Sequence, residues 1–149
     1  VIAFDVNVLL QAFMPRSPHH ERCRALVEEV ANAGAPFAVS EIVLAAVVRI
    51  ATNPRVFKPP ASPALAFEFA EALRAHPHAV PIAPGVRHWR TFRELVETTG
   101  IRGSDVTDAY LAALAIEHGC EWWTADVDFG RFPGPRWRNA LESVPVARG

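Results

Sequence analysis

The chain has only two cysteines, Cys23 and Cys120, in 149 residues. That excludes a disulfide framework, and their separation matches no metal-binding spacing, so both are expected to be reduced, structural thiols. Lysine is scarcer still, with Lys58 alone. Apolar runs are short: stretches such as Ile42–Val48 fall far below the length a membrane span needs. The opening residues, VIAFDVNVLL, lack the basic leader and small-residue cleavage site of a secretory signal, so a cytoplasmic protein is expected. Internal repeats, low-complexity segments and linkers are missing as well, which leaves one domain over residues 1–149. Hydrophobic residues at 50% and charged residues at 21% exclude disorder and suffice for a good core.

What the chain does have is acid at element ends. The stretch GSDVTDAYLAALAIEH, Gly103–His118, reads as a helix with Ser104 as N-cap and Gly119 as its stop. Asp105 and Asp108 lie three apart on one face of its first turns, where the helix dipole favours negative charge. Below them alanines permit close approach of another element, and Leu111, Leu114 and Ile116 supply apolar surface. Glu121–Thr124 follows as a short strand, then Asp126 and Asp128. At the other end of the chain Val1–Phe4 is an apolar strand that runs straight into Asp5.

Between these ends, helices and short strands alternate. Helices are predicted at Val6–Phe13, from Ser17–Pro18 to about Asn32 with Cys23, Leu26, Val27 and Val30 inward, and at Ser40–Ala51. Further helices follow a proline-bearing loop, at Pro63–Ala75 with Leu65, Phe67, Phe69, Ala72 and Leu73 as its apolar set, and at about Gly85–Thr98 with Trp89, Phe92, Leu95 and Val96 inward. Phe37–Val39 and His78–Ala83 are candidate strands, and within the tail Phe132–Pro145 the segment Arg136–Arg138 is a candidate edge strand. This alternation predicts an α/β sandwich around a mostly parallel sheet, with ligands outside the carboxyl ends of the strands. Asp5 and Asp126 each follow a strand closely, and the helix starts bearing Glu41 and Asp108 are placed to meet them.

Three or four carboxylates converging from separate elements form an oxygen-only site suited to Mg²⁺ or Mn²⁺, which need neither histidine nor thiolate. Such acids repel one another unless a cation balances them. Asp5 is the hardest to explain structurally, because an acid in an apolar run is costly. The formal net charge is −1; with the acid cluster set apart, the remaining surface is positive, and Arg49, Arg55, Lys58, Arg87, Arg90, Arg93 and Arg102 fall in the middle of the chain. That division suits a polyanion brought to a metal-loaded pocket. His19 and His20, beside Pro18, read as surface or packing residues.

These residues resemble a family. D-x-N (Asp5–Asn7), D-A-x-L-A-A (Asp108–Ala113) and T-x-D-x-D-F (Thr124–Phe129), in this order and spacing, resemble a PIN domain, and more closely the VapC ribonuclease toxins of bacterial toxin–antitoxin pairs. RIATNPRVF (Arg49–Phe57), LAALAIEHG (Leu111–Gly119) and DFGRFPGPRW (Asp128–Trp137) are similar to the same group, so the likeness covers nearly the whole chain. It implies a PIN-like three-layer α/β/α sandwich and an endoribonuclease in which metal-activated water attacks an RNA phosphodiester. Asp5, Asp108 and Asp126 match the metal-binding acids, Asp128 the frequent extra acid, Asn7 the polar residue supporting the first aspartate, and Thr124 the hydroxyl that steadies the last acids. Many relatives carry a helix glutamate about one turn further on, at what is here Ala46; Glu41 takes the fourth acid position in its place. Asp105 is assigned a supporting role, and Arg16, Arg49, Arg55 and Lys58 are candidate RNA-backbone contacts.

The resemblance further implies one or two Mg²⁺ or Mn²⁺ ions, an RNA substrate of which tRNA and rRNA are the open classes, a homodimer, and a VapB-type antitoxin. The antitoxin's C-terminal peptide would lie in an apolar groove flanked by arginines from the Ser40–Ala51 and Pro63–Ala75 helices. Two other readings stand against this one. A haloacid dehalogenase-type phosphohydrolase also has an aspartate after its first strand, but wants a second two residues on, where this chain has Asn7. A non-catalytic interaction module would have no reason to keep the acids together.

Overall fold

The computed structural model describes residues 1–142. Five strands form one sheet: β1 (Ile2–Phe4), β2 (Phe37–Val39), β3 (Ala79–Pro81), β4 (Glu121–Thr124) and β5 (Arg136–Asn139). Their order is β3-β2-β1-β4-β5, and every neighbouring pair is parallel. Six helices accompany them: α1 (Val6–Phe13), α2 (His20–Ala31), α3 (Glu41–Ala51), α4 (Pro63–Arg74), α5 (His88–Thr99) and α6 (Val106–His118). From β1 the strands step one way to β2 and β3, then back across to β4. Right-handed crossovers therefore put the first four helices and the last two on opposite faces. The packing agrees: α1 contacts α2 and α3, α3 contacts α4, and α5 contacts α6. The expected α/β/α sandwich is what forms, with its sheet wholly parallel.

The core follows from the short apolar strands. Phe37, Trp122, Leu114, Val8, Val47 and Phe129 are among the largest fully buried side chains. In α6 the residues Ala109, Leu111, Ala112, Ala113, Leu114 and Ala115 are all buried, so the helix is enclosed on most of its circumference. It ends at Gly119, whose φ of 62° is a left-handed C-cap that a side chain would strain. Among the described residues no helix is long and apolar enough to cross a membrane.

Several expectations need correction. The second helix begins at His20 rather than at Ser17–Pro18, because the Ser17 N–H bonds Met14 O and the His20 N–H bonds Ser17 O, which makes a turn there. Residues Gly103–Asp105 form a 3₁₀ turn, α6 starts at Val106, and no side chain caps it, so Ser104 is not the N-cap. In α4 the inward face is Ala66, Ala70 and Leu73, whereas Leu65 and Phe67 are exposed, Phe67 beside the groove against α3. Trp89, expected inward, is exposed on α5. The strand predicted over His78–Ala83 is only Ala79–Pro81, with Val80 exposed at the sheet edge and Ile82 buried just beyond it. The predicted edge strand is present as β5, paired with β4; the tail beyond Glu142, including Pro145, lies outside the described residues.

One buttress joins the layer of α5 and α6 to the end of β3. The Glu117 carboxylate accepts the backbone N–H groups of Gly85 at 2.6 Å and Arg87 at 3.0 Å, and these bonds hold its pKa below the ordinary value. A Cβ at Gly85 would stand 2.8 Å from that carboxylate, so a side chain there would push Glu117 off its two donors. Glu117→Ala is expected to cost about 1–3 kcal/mol, read as a lower thermal midpoint, since two donors lose a charged acceptor.

Candidate active site

Asp5 stands at the carboxyl end of β1 and begins α1. Its Oδ1 accepts the Val6 N–H at 2.7 Å, an N-terminal cap, and its Oδ2 accepts the Thr124 hydroxyl at 2.8 Å. Only 6% of Asp5 is exposed. Thr124, at the end of β4, is wholly buried and serves as a hub: its Oγ also accepts from Asn7 Nδ2 at 3.2 Å and from the Asp126 N–H at 3.0 Å. Asn7 closes the arrangement, its Oδ1 accepting the Ala125 N–H at 3.0 Å. The ends of β1 and β4 are thus tied by side chains across the point where strand order reverses, the place where parallel sheets bind ligands.

The turn after β4 carries the next acids. Asp126 Oδ1 accepts the Asp128 N–H at 2.9 Å, opening a 3₁₀ turn over Val127–Arg131. Phe129 anchors this turn in the core, stacked on Trp122 at 6.2 Å and met edge-on by Phe132 and Trp137. Asp108, one turn into α6, lies near enough to Asp5 and Asp126 for both charges to act on it. Its Oδ2 accepts Nη2 of Arg131 at 3.1 Å.

Burial, partly offset by the Thr124 and Val6 bonds, raises the Asp5 carboxyl above its ordinary value of 3.8, and the Asp126 charge adds to the rise. The Trp122 indole N–H lies beside Asp5 without a partner at bonding distance. Asp108 is raised by burial first, then by the Asp5 charge, with Arg131 opposing. Among the described residues, Arg131 is the one cation in contact with this group of acids. The acids' donors are all hard oxygens, the set Mg²⁺ and Mn²⁺ take. No three His, Cys, Asp or Glu residues among the described residues close into a ready-made cage. The residues present fit a hard dication.

The other predicted residues fall elsewhere. Glu41 opens α3, exposed, with its Oε1 held by Arg74 Nη2 at 2.9 Å; its partner is this guanidinium, and the acids that act on Asp5 and Asp108 do not include it. Asp128 is exposed and offers its carbonyl to Arg131. Asp105 ends the 3₁₀ turn before α6, exposed to solvent. Arg16, Arg49, Arg55 and Lys58 are all exposed, and Arg16 Nη1 lies 3.5 Å from the Lys58 carbonyl, so those two loops adjoin.

Two residues were not anticipated. Arg131 enters the cluster from the F-G-R-F stretch, where its position after Asp128 was the available signal. Ser40 lies opposite Asp5, since Ala3 pairs with Ala38, and its buried Oγ has no hydrogen-bond partner. Thr124→Val is expected to lower dication affinity about 10–100-fold through loss of orientation of Asp5 and Asp126, measurable by calorimetric titration with Mn²⁺.

A parallel α/β/α fold with acids gathered at its switch point is the arrangement of a PIN domain, and the PIN domain family model matches residues 2–135. The chain belongs to that family, and within it to the VapC group. It is 41% identical over 142 residues to "VapC ribonuclease Mb2897" of Mycobacterium bovis, covering 95% of this chain and 97% of that protein. With ribonuclease VapC25 of Mycobacterium tuberculosis it shares 40% over 132 residues, covering 89% and 93%. Among solved structures, VapBC2 from Rickettsia felis bound to a promoter DNA fragment superposes with a TM-score of 0.63 at 16% identity, over 91% of this chain and 96% of that one. FitAcB from Neisseria gonorrhoeae gives a TM-score of 0.59 at 20% identity, over 94% and 98%. At these identities the structural likeness speaks for the fold.

Proposed function

We propose that this protein is a divalent-metal-dependent endoribonuclease, the toxin of a toxin–antitoxin pair. The observation that carries the reading is the meeting of Asp5, Asp108 and Asp126, from three separate elements, at one sheet edge where their charges act on one another. The ribonuclease names of relatives at 40–41% identity support the substrate class. Asp5, Asp108 and Asp126 would hold Mg²⁺ or Mn²⁺, with Asp128 as the extra acid; Glu41, proposed for the fourth position, is instead paired with Arg74 and would have to leave it to take part. A dication bound there supplies an activated water and stabilises charge on the phosphodiester. The chain itself contributes orientation: Thr124 and the Val6 N–H fix both oxygens of Asp5, Asn7 pins the turn after β4, and Arg131 holds Asp108. No histidine or serine nucleophile takes part. Arg16, Arg49, Arg55 and Lys58 are proposed to meet the RNA backbone.

The partner reading rests on the groove between α3 and α4, lined by Leu44, Val48, Phe67 and Ala70 with Glu71 and Arg74 at its polar side. An amphipathic peptide from a VapB-type antitoxin suits it, and a homodimer is the proposed assembly. The test is incubation of the purified protein with tRNA and rRNA in Mg²⁺, in Mn²⁺ and in excess EDTA. Endonucleolytic products with either metal, absent in EDTA and suppressed by the co-encoded small protein, are expected. Intact RNA under both metals, or cleavage surviving EDTA, would overturn the nuclease mechanism.

A further inference from the structure

Arg131 is the one cation that touches the acid cluster among the described residues. Its Nη2 donates to Asp108 Oδ2 at 3.1 Å, its Nη1 donates to the Asp128 carbonyl at 2.8 Å, and its guanidinium lies 4.7 Å from the centre of the Phe132 ring. The side chain is 26% exposed and Asp108 32%, so the pair is half-buried rather than a solvated surface contact. Its Nε is buried and bonds nothing, so the guanidinium does not form the two-point fork that makes an arginine–carboxylate pair hard to separate. The stem is thus fixed by Phe132 and Asp128, while the tip makes a single, exchangeable contact with an acid.

We infer that Arg131 is a resident counter-cation: a positioning residue that occupies the cation place on Asp108 and must yield it when a dication binds. The inference rests on reading the acids as a dication site. One monovalent charge cannot balance Asp5, Asp108 and Asp126 together, yet it is enough to hold Asp108 in place until a stronger cation arrives. Metal and guanidinium then compete for one carboxylate and repel each other, so each weakens the other's hold.

Competition makes a prediction that a structural ion pair does not. Arg131→Met keeps an unbranched stem over Phe132 and removes the charge. The variant's metal-free form is expected to melt at a lower temperature than wild type, while Mn²⁺, titrated calorimetrically, binds about tenfold more tightly. A merely structural arginine would move both quantities downward together. Arg131→Lys, which restores the charge, is expected to return Mn²⁺ affinity toward wild type, and it serves as the readout should the Met variant fail to fold. In an Asp108→Asn background, Arg131→Met is expected to lower the metal-free melting temperature by less than it does with Asp108 present, because only the Asp128 carbonyl bond and the Phe132 contact remain to be lost. Equal or weaker Mn²⁺ binding by Arg131→Met, beside normal binding by wild type, overturns the inference and leaves the metal-site reading standing. Absence of Mn²⁺ binding by wild type overturns both.

Discussion

Asp5→Asn is expected to lower RNA cleavage by about 10²–10³-fold, the scale seen when one group placed to stabilise developing charge is removed. Asparagine is nearly isosteric, so the Val6 N–H keeps an oxygen acceptor and α1 keeps its cap. What is lost is a carboxylate charge, 6% exposed, which the apolar end of β1 has no structural reason to carry. The same substitution relieves the facing of Asp5 by Asp126 and Asp108 but gives up the oxygen that accepts the Thr124 hydroxyl, so the stability of the metal-free protein is expected to change little. Loss of cleavage with stability kept is the signature of a residue retained for chemistry. Unaltered cleavage by a folded Asp5→Asn protein would count against the mechanism.

Metal-free protein is expected to lose stability as pH rises from about 4 toward neutrality. Asp5 and Asp108 titrate above 3.8 in the folded state, so between 3.8 and their raised values the folded chain binds more protons than the unfolded one. Stability falls with pH wherever the folded state holds the extra protons. Glu117 works in the opposite sense, its stabilisation present above 4.5 and lost as pH falls below it, which rounds off the acidic side of the curve. A dication that binds only the folded state adds about 2.7 kcal/mol at a hundredfold excess over its Kd. Urea denaturation across pH 4–8 (about the working range of the linkage), in EDTA and in Mg²⁺, measures both effects. Stability in EDTA that climbs steadily over that range would contradict the raised titration of Asp5 and Asp108.

The candidate acids stood out wherever local chemistry conflicted with local structure. An acid ending an apolar run, as at Asp5, or an acid opening an otherwise apolar helix, as at Asp108, departs from the pattern around it; Asp105, singled out for the same reason, lies in the exposed turn before the helix. The alternation of short apolar strands with helices was enough for the parallel sandwich. What escaped was whatever depended on a partner distant in sequence. Arg131 reaches Asp108 across 23 positions and Arg74 reaches Glu41 across 33, and neither pairing leaves a periodic trace. The same holds for α4: Leu65 and Phe67 look like core by type, but the short side chains of Ala66 and Ala70 face inward. The turn at Gly103–Asp105 displaced the expected cap by using 3₁₀ bonds that Ser104 does not advertise.

The aromatic footing beneath the Asp126–Asp128 turn has one more consequence. Trp122 lies beside Asp5 and stacks on Phe129, while Trp137 presses against the same ring and leaves room for nothing larger than Gly130, whose Cβ would sit 2.8 Å from it. The Trp122 indole therefore stands beside Asp5, and any ion that reorganises the charges there changes the electric field across it. The molecule carries its own fluorophores at the place that matters. With exposed Trp89 replaced by Phe, the indoles of Trp122, Trp123 and Trp137 remain, and occupancy of the acids is expected to appear as a change in their intrinsic light, without label or substrate.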